Sequence, residues 1–280
     1  MSTVAKELQL PEGTVRDRLE RMRRTGFLRG LTIIVNPSLL DMKVALLWIE
    51  LPSGSSKELI QKLKLMPEIV FIVSRFGGSL TAFLGCEDKD GLDKKIELLR
   101  VISGAEGMVY VDVKFPECRV NLSRLDWEIL RVVQRDPSKL YREIAEELRI
   151  SSKTVKRRLE RMIEVQALFT YPDINFKALE GAMSVDLLVL YDGPELQRSA
   201  QEAIRTHLDE HMTFELVGDS YGFFTLIVKT VYKVQEILER VRSQPGVRRP
   251  LMGLVLERID TISELMEKQI EKKLRHQQPS

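Results

Sequence analysis

The sequence has few of the residues on which disulfide frameworks, metal sites and membrane spans depend. Only two cysteines and three histidines occur among 280 residues, and aromatic residues make up 6%. Cys86 and Cys118 have neither C-x-x-C spacing nor a neighbouring histidine, so we predict two small core residues. No apolar run approaches the roughly 20 residues that span a bilayer, and no secretion signal is apparent. We therefore expect a cytoplasmic protein that has no membrane partner.

Motifs for nucleotide binding and nucleophilic catalysis are also missing. The sequence shows no P-loop, no G-x-G-x-x-G fingerprint, no metal-spaced histidine set and no nucleophile elbow. We therefore predict a protein that is not an enzyme and that carries neither a metal nor a cofactor. The formal net charge of +2 is almost balanced, so only the local distribution of charge can point to a polyanionic partner.

What the chain does contain is a long internal repeat. Residues 14–22, TVRDRLERM, return 140 residues later as TVKRRLERM at 154–162, and seven of the nine positions are identical. A period of this length indicates two copies of a whole module rather than a solenoid of short repeats. We call the segment around residues 14–22 copy one and the segment around residues 154–162 copy two.

Between and after the two copies, the hydrophobic pattern alternates between strand and helix periods. In the first half it predicts a strand at 43–51, a helix at 56–65, strands at 68–74 and 79–85, a helix at 92–102 and a strand at 108–114. The second half repeats this order at 184–191, 195–207, 213–217, 222–229, 233–241 and 247–256. The order βαββαβ is that of a ferredoxin-like fold.

Copy two has the pattern of a helix-turn-helix. Helices are predicted at 125–134 and 140–148, and the hydroxyl of Ser151 can cap a third helix that runs through Met162. In that helix Val155, Leu159 and Met162 recur at i, i+4 and i+7, so they should face the core. The basic residues between them then point outward, as reading DNA in the major groove requires.

Candidate DNA-contacting residues follow from this geometry in both copies. In copy two they are Ser152, Lys153, Lys156, Arg157, Arg158 and Arg161, and in copy one they are Gly13, Arg16, Arg18 and Arg21. Asp17 stands where copy two has Arg157, which should lower the affinity of copy one for the groove. We therefore expect copy two to supply more of the salt-dependent attraction to phosphates.

Together these patterns predict an α+β fold in which two winged helix-turn-helix domains alternate with two ferredoxin-like βαββαβ domains. The expected domains span residues 1–40, 41–118, 119–180 and 181–260, followed by an amphipathic C-terminal helix and tail at 261–280. That last helix either packs on its own domain or forms a dimer contact.

The chain resembles the leucine-responsive/asparagine-synthase-regulator (Lrp/AsnC, feast/famine) family of transcription factors. The resemblance rests on residues 10–32, Val35-Asn36-Pro37 and Leu40, and in copy two on residues 125–130, 144–145, 151–162, Leu168 and 173–175. It implies a winged helix-turn-helix joined to a βαββαβ effector (RAM-type) domain that pairs between subunits and binds amino acids where pairs assemble. The partners that it implies are double-stranded DNA, a small-molecule effector and further copies of the chain, as a dimer of two-unit chains.

Copy one departs from the family pattern because it begins in what should be the second helix. Val4, Leu8 and Leu19 would then expose apolar surface that normally packs on the first helix. Either the natural chain starts further upstream, or another segment covers this surface. The C-terminal helix at 261–274 is our candidate cover.

The hairpins that would contact an effector also depart from the family pattern, which usually resembles G-x-Y-D-Y. Gly78 and Gly222 stand where the acidic partner of an amino group would be, and Asp219 is nearby but out of register. This argues against ordinary α-amino-acid binding. The weak effector-site candidates are Arg75, Gly78, Asp219, Tyr221 and Gly222.

Two alternatives to a DNA-binding regulator remain open. Siroheme decarboxylases resemble the same two-domain arrangement, and such an enzyme needs cationic residues and a proton donor such as His or Tyr. The histidines are His207, His211 and His276, and Tyr221 and Arg75 are further candidates, but nothing clusters them in the sequence. The third reading is an effector-binding assembly module without a DNA function, which Asp17 and the missing helix keep open.

Overall fold

The structure is a computed structural model that describes residues 2–52, 56–260 and 262–277. Copy one consists of α1 (Ser2–Glu7), α2 (Glu12–Arg24), β1 (Leu28–Val35) and a 3₁₀ helix (Pro37–Leu40). Copy two consists of α5 (Arg124–Arg135), α6 (Tyr141–Leu148), α7 (Ser152–Glu164), β6 (Leu168–Ile174) and a 3₁₀ helix (Phe176–Ala178).

Each copy is followed by a four-stranded sheet module with two helices. Sheet module one is formed by β2 (Lys43–Glu50), α3 (Ser56–Lys64), β3 (Ile69–Arg75), β4 (Leu80–Cys86), α4 (Lys89–Ser103) and β5 (Gly107–Val113). Sheet module two is formed by β7 (Met183–Tyr191), α8 (Pro194–Leu208), β8 (Met212–Val217), β9 (Tyr221–Val228), α9 (Val231–Arg242) and β10 (Val247–Asp260). The chain ends in α10 (Ile262–His276).

The two sheet modules join edge to edge into one eight-stranded sheet of order β5-β2-β4-β3-β10-β7-β9-β8. Within each half the order is that of a ferredoxin-like fold, so the predicted fold class is confirmed. Strand β10 makes the junction because it is 14 residues long. Its first part pairs antiparallel with β7, and after a bulge near Leu256 its last part pairs with β3.

Alternation along the strands divides the apolar residues between two faces. On β2, Ala45, Leu47 and Ile49 pack under α3 and α4, whereas Leu46 and Trp48 point to the opposite face of the sheet. Sheet module two shows the same division between two core clusters. The opposite faces of the two modules share one core, to which α10 also contributes, and in which the rings of Phe83 and Phe223 meet edge to face at 6.4 Å.

The linking strands of the two copies pair with each other. Strand β1 runs antiparallel to β6, with Leu28 opposite Ile174 and Val35 opposite Leu168. Each strand thus finds its partner in the other copy, and the two form a ribbon that joins the helix-turn-helix units. Asn36 is fully buried beside this ribbon and donates to the carbonyl oxygens of Pro116 and Gln166, at 2.9 and 2.8 Å.

The position of α10 corrects the prediction that it covers copy one. Met266, Ile270 and Leu274 are buried, and α10 packs on α5 of copy two and on β3. Ion pairs between Arg135 and Glu267 and between Arg131 and Glu271 fix it there. The helix goes to copy two because α5 offers an apolar face with basic ends, and copy one has no such helix among the described residues. Thr261 lies outside those residues.

The cysteines occupy the places expected of small core residues. Cys86 is buried at the end of β4, where burial first and the nearby Glu68 second raise the pKa of its thiol to about 11. Cys118 is half-buried, and its Sγ donates to the carbonyl oxygen of Val165 at 3.2 Å. No described helix is long and apolar enough to cross a membrane.

Candidate nucleic-acid interface and interior cavity

Helix α7 has the features that the sequence predicts for a recognition helix. Helix α6 ends at Arg149, which adopts a left-handed φ of 54°, and the Oγ of Ser151 then accepts a hydrogen bond from the amide of Thr154 at 3.1 Å. This cap satisfies one of the amide groups that a helix start leaves unpaired. Val155, Leu159 and Met162 are buried at 0%, 6% and 1% exposure. The predicted buried stripe is thus the one in the structure.

The opposite face of α7 carries most of the predicted DNA-contacting residues. Ser152, Lys153, Lys156, Arg157 and Arg161 are all exposed. Lys156 lies 3.7 Å from Glu160 one turn along, which is a loose surface pair that leaves its ammonium accessible. The first turn, with free amides and basic side chains, therefore presents positive charge to solvent.

Arg158 is an exception to the predicted set. Its Nη1 donates to Oδ1 of Asp126 at 2.7 Å and to Oγ of Ser123 at 3.1 Å, and only 24% of its side chain is exposed. Burial of the Asp126 carboxyl opposes its ionisation, but hydrogen bonds from Ser123 and Arg158 outweigh that effect and lower its pKa. Arg158 therefore holds α7 against α5 and is not available to DNA, which corrects its assignment.

Copy one presents a similar helix, but fewer residues pack against its inner face. Gly13, Arg16, Arg18 and Arg21 are exposed on α2, as predicted. Pro11 precedes the helix and provides no side-chain cap. Val15 is buried, but Leu19 is only half-buried and 38% of Met22 is exposed, because no described helix takes the place that α5 has in copy two.

The exposed charge of the two helices is less different than the sequence suggests. Helix α2 carries five arginines and three acidic residues, and α7 carries five basic and two acidic residues. Since Arg158 is already neutralised by Asp126, both helices offer solvent a net charge of about +2. The position of charge still differs, because Asp17 and Arg157 occupy equivalent sites.

Arg75, a candidate effector contact, lies instead at the junction of the two sheet modules. Its side chain is fully buried, its Nη2 lies 2.8 Å from Oδ2 of Asp186, and its guanidinium stacks 3.7 Å above the ring of Trp48. Gly253 makes room for it, since a Cβ there would lie 2.5 Å from Cδ of Arg75. Burial lowers the pKa of this guanidinium, and the nearby carboxylate of Asp186 partly opposes that shift. The side chain of Arg75 therefore links the two sheet modules from the end of β3, and its assignment as an effector contact is wrong.

The other candidate effector residues divide between two hairpins. Asp219 lies in the turn between β8 and β9, where it is exposed and pairs with Lys114, and Tyr221 and Gly222 are the first residues of β9. The Tyr221 hydroxyl is buried without a hydrogen-bond partner among the described residues, and burial raises its pKa. Gly78 lies in the hairpin of the other module with a φ of 94°. The structure therefore does not gather these five residues into one site.

The sequence did not predict an interior cavity of about 160 Å³ that is partly open to solvent. It lies where the β1–β6 ribbon meets the faces of the two sheet modules that are turned away from α3, α4, α8 and α9, with Met266 of α10 at its edge. The lining is mostly apolar and aromatic, and its polar and charged side chains come from the second half of the chain. The lining residues are Ile34, Pro37, Val44, Val70, Phe71, Val73, Phe83, Phe115, Tyr171, Pro172, Asp173, Ile174, Phe176, Asp186, Thr213, Phe214, Leu216, Phe223, Thr225, Val255, Arg258 and Met266. No local motif marks it, because its walls come from strands distant in sequence.

Comparison with known proteins supports the assignment of copy two. A family model described as winged helix-turn-helix DNA-binding matches residues 122–164. The HTH-type transcriptional regulator FL11 of Pyrococcus furiosus is 27% identical over 106 residues, which cover 37% of this chain and 70% of that regulator. The HTH-type transcriptional regulator Ptr1 of Methanocaldococcus jannaschii is 33% identical over 75 residues, covering 26% of this chain and 51% of Ptr1.

A solved structure matches the arrangement of the whole chain. The siroheme decarboxylase NirDL, in complex with an iron-uroporphyrin III analogue, superposes with a TM-score of 0.59 over 98% of this chain and 92% of NirDL. At 14% identity this likeness shows a shared fold. The chain is thus similar in copy two to helix-turn-helix transcriptional regulators, and it carries a helix-turn-helix segment before each of two ferredoxin-like sheet modules.

Proposed function

We propose that the chain is a DNA-binding transcriptional regulator in which copies one and two act as an in-chain pseudo-dimer. The observation that carries this proposal is the outward basic face of α7, which stands on a capped helix whose other side is buried. Such a helix fits the major groove with its N-terminal turns toward the base edges. The names of the relatives FL11 and Ptr1 support the same function.

The β1–β6 ribbon supports the pseudo-dimer part of the proposal. The ribbon joins the two copies, so one chain holds two linked helix-turn-helix units. Dimeric helix-turn-helix proteins obtain the same arrangement from two chains. Because Asp17 and Pro11 stand where copy two has Arg157 and Ser151, the two recognition helices differ in charge and in how they begin. We therefore expect sites selected from random duplexes to have two unlike halves about one helical turn, roughly 34 Å, apart.

The test is the salt dependence of binding to a duplex of about 30 base pairs, at which length both copies can engage. In the triple variant Lys153→Gln, Lys156→Gln and Arg157→Gln, we expect weaker binding between about 50 and 200 mM salt. The slope of log affinity against log salt should fall by about one unit for each phosphate that the variant no longer neutralises. Gel shifts or fluorescence anisotropy measure both quantities.

A matched control changes the same amount and type of charge away from the helix-turn-helix units. Lys89, Lys94 and Arg100 are exposed on α4, on the outer face of sheet module one. Substitution of all three by Gln should leave the slope unchanged. If the two triple variants reduce the slope equally, the attraction is a general effect of protein charge and the assignment of α7 fails.

The second candidate function is that of a siroheme decarboxylase, which the fold shared with NirDL favours. The interior cavity does not fit a tetrapyrrole well, since about 160 Å³ is below the range of roughly 300–1,000 Å³ typical of ligand pockets. Of the histidines, His207 lies on the outer side of sheet module two, where its Nδ1 is 2.9 Å from Nη1 of Arg240. Incubation with siroheme separates the candidates, because decarboxylation changes the mass of the tetrapyrrole and a regulator leaves it unchanged.

A further inference from the structure

The two sheet modules can be compared position by position, because β3 and β8 carry the same bulge and pair in the same register with β4 and β9. The position that pairs just after the bulge is Phe83 on β4 and Thr225 on β9. Opposite these two residues lie Leu46 on β2 and Asp186 on β7. Leu46 of sheet module one therefore corresponds to Asp186 of sheet module two.

A buried ion pair joins the two modules through positions that differ between them. Nη2 of Arg75 lies 2.8 Å from Oδ2 of Asp186, and the two side chains are 0% and 3% exposed. Arg75 is the last residue of β3, and Gly218, directly after β8, has the corresponding position in sheet module two. The counterparts of Arg75 and Asp186 in the opposite modules are thus Gly218 and Leu46, neither of which carries a charge.

A glycine of sheet module two makes room for the arginine. Gly253 lies opposite Asp186 on β10, and a Cβ at Gly253 would lie 2.5 Å from Cδ of Arg75. The corresponding residue of sheet module one is Val111, which lies opposite Leu46 on β5. If sheet module one took the place of sheet module two, a valine side chain would therefore meet the stem of Arg75.

These differences make the pairing of like modules unfavourable. If sheet module one met a second copy of itself in the same arrangement, Arg75 would face Leu46 and would be buried without a carboxylate. If sheet module two did so, Asp186 would face Gly218 and would be buried without a cation. Removing one partner of a buried ion pair is strongly destabilising, because the remaining charge has lost its water and has no compensation.

We propose that Arg75, Asp186 and Gly253 determine which partner each sheet module accepts, so that sheet module one pairs with sheet module two and neither module pairs with a second copy of itself. An attractive contact with the correct partner is combined here with an unpaired buried charge against the wrong one, which is how binding surfaces obtain selectivity. The consequence is that unlike modules meet even where many copies of the chain are present. This inference concerns the sheet modules and does not depend on DNA binding.

Two substitutions in the intact chain reproduce the mismatches. Asp186→Leu places the leucine of sheet module one opposite Arg75, and Arg75→Met leaves Asp186 without a cation. Each should lower the urea midpoint of unfolding, and the double variant should recover at least about half of the larger loss, because an apolar pair leaves no charge unpaired. A single variant that does not fold counts as a full loss. If the double variant is no more stable than the single variants, the pair does not discriminate between partners and the proposal fails.

A matched control uses an exposed ion pair between the same two modules. Nη2 of Arg249 lies 3.4 Å from Oε1 of Glu50, and the two side chains are 52% and 41% exposed. Arg249→Met and Glu50→Leu should each shift the midpoint little, and their combination should show no recovery, because solvent screens this pair. Equal recovery in the two double variants would show that burial of Arg75 and Asp186 has no special role, and the proposal would be refuted.

Charge reversal tests the choice of partner directly. A chain with Arg75→Asp and a chain with Asp186→Arg each bring like charges together between their own modules, so each should refold poorly alone. When the two chains refold together from urea, sheet module one of each chain can meet the opposite charge on sheet module two of the other. Asp186 borders the interior cavity, which leaves room for the longer side chain.

Native mass spectrometry of one isotope-labelled and one unlabelled chain measures the result. We expect the mixed species to exceed roughly one half of the two-chain assemblies, the share that association without selectivity would produce. A mixed share at or below that value would overturn the selection of partners, and so would a mixture that refolds no better than either chain alone. The control mixture of Glu50→Arg and Arg249→Glu chains should show no such excess.

Discussion

The two helix-turn-helix copies have nearly the same third helix but very different surroundings. Met162 of α7 is 1% exposed, whereas its counterpart Met22 is 38% exposed. The second helices differ in the same way, since Ile144 is 1% exposed and Val4 is 44% exposed. The cause is α5, which covers copy two and has no counterpart among the described residues of copy one. A repeated sequence thus does not guarantee a repeated environment, because burial depends on what packs against it.

The same comparison shows how one residue type can serve two purposes. Arg158 pairs with Asp126 because α5 brings that carboxylate beside α7. Its counterpart Arg18 is exposed on α2, where no equivalent of α5 among the described residues supplies a carboxylate. Sequence identity between the copies therefore predicts one role for Arg158 and Arg18, whereas in the structure Arg18 is exposed and Arg158 is paired with Asp126.

The largest expected difference between the copies is in the free energy of unfolding that is lost when Met162 or its counterpart Met22 is replaced by alanine. Met162→Ala should lower the free energy of unfolding by about 3 kcal/mol, because it opens a cavity beneath α5, whereas Met22→Ala should cost less than about 1 kcal/mol. Urea denaturation of both variants measures the two values. Similar costs would mean that Met22 is covered in solution, and the comparison would then be wrong.

The next largest expected difference in stability between the copies comes from the ion pair of Arg158 with Asp126. Arg158→Met leaves a buried carboxylate without its cation and should destabilise the chain by about 2 kcal/mol, below the usual cost of a broken buried pair since Arg158 is partly exposed. Arg18→Met should leave stability almost unchanged. The salt slope of DNA binding should respond in the opposite way, falling by about one unit for Arg18→Met only. A slope that falls for Arg158→Met instead would restore its role as a DNA contact.

Stability should also depend on pH through Asp126. Because its pKa is lowered in the folded chain, the stabilisation that it provides is fully present above the unfolded value of about 3.9 and is lost as the pH falls through the folded value. The difference in unfolding free energy between the unaltered chain and Asp126→Asn should therefore be constant near neutrality and shrink below about pH 4. In an Arg158→Met background this pH dependence should weaken. A difference that grows on acidification would contradict the assignment.

The order of helices and strands could be predicted because each follows from a local period. The strand expected at 43–51 and the helix expected at 195–207 lie within two residues of β2 and α8 at each end. Pairing between distant strands has no local signal, so the β1–β6 ribbon and the extension of β10 onto β3 could not be predicted.

The candidate site was predictable to the same extent. Outward residues of α7 follow from helical spacing, and four of its five basic residues are exposed. The spacing could not show that Arg158 meets Asp126, since that contact depends on how α5 crosses α7. For the same reason the buried pair of Arg75 and Asp186, 111 residues apart, was not visible in either hairpin.

The smallest expected difference concerns the start of the third helix, and it tests whether α2 and α7 begin in the same way. Ser151→Ala removes the hydrogen bond from the amide of Thr154 and should lower the free energy of unfolding by about 1 kcal/mol.

Pro11→Ser provides α2 with such a cap, but it also frees the unfolded chain at a site where proline restricts it, so the net change in the free energy of unfolding should lie within about 0.5 kcal/mol. Pro11→Ala frees the unfolded chain without providing a cap. The stability of Pro11→Ser should therefore exceed that of Pro11→Ala by about the amount by which Ser151→Ala destabilises the chain. Thermal or urea unfolding of the three variants gives both differences, and if Ser and Ala are equivalent at position 11, α2 does not begin at Glu12 in solution.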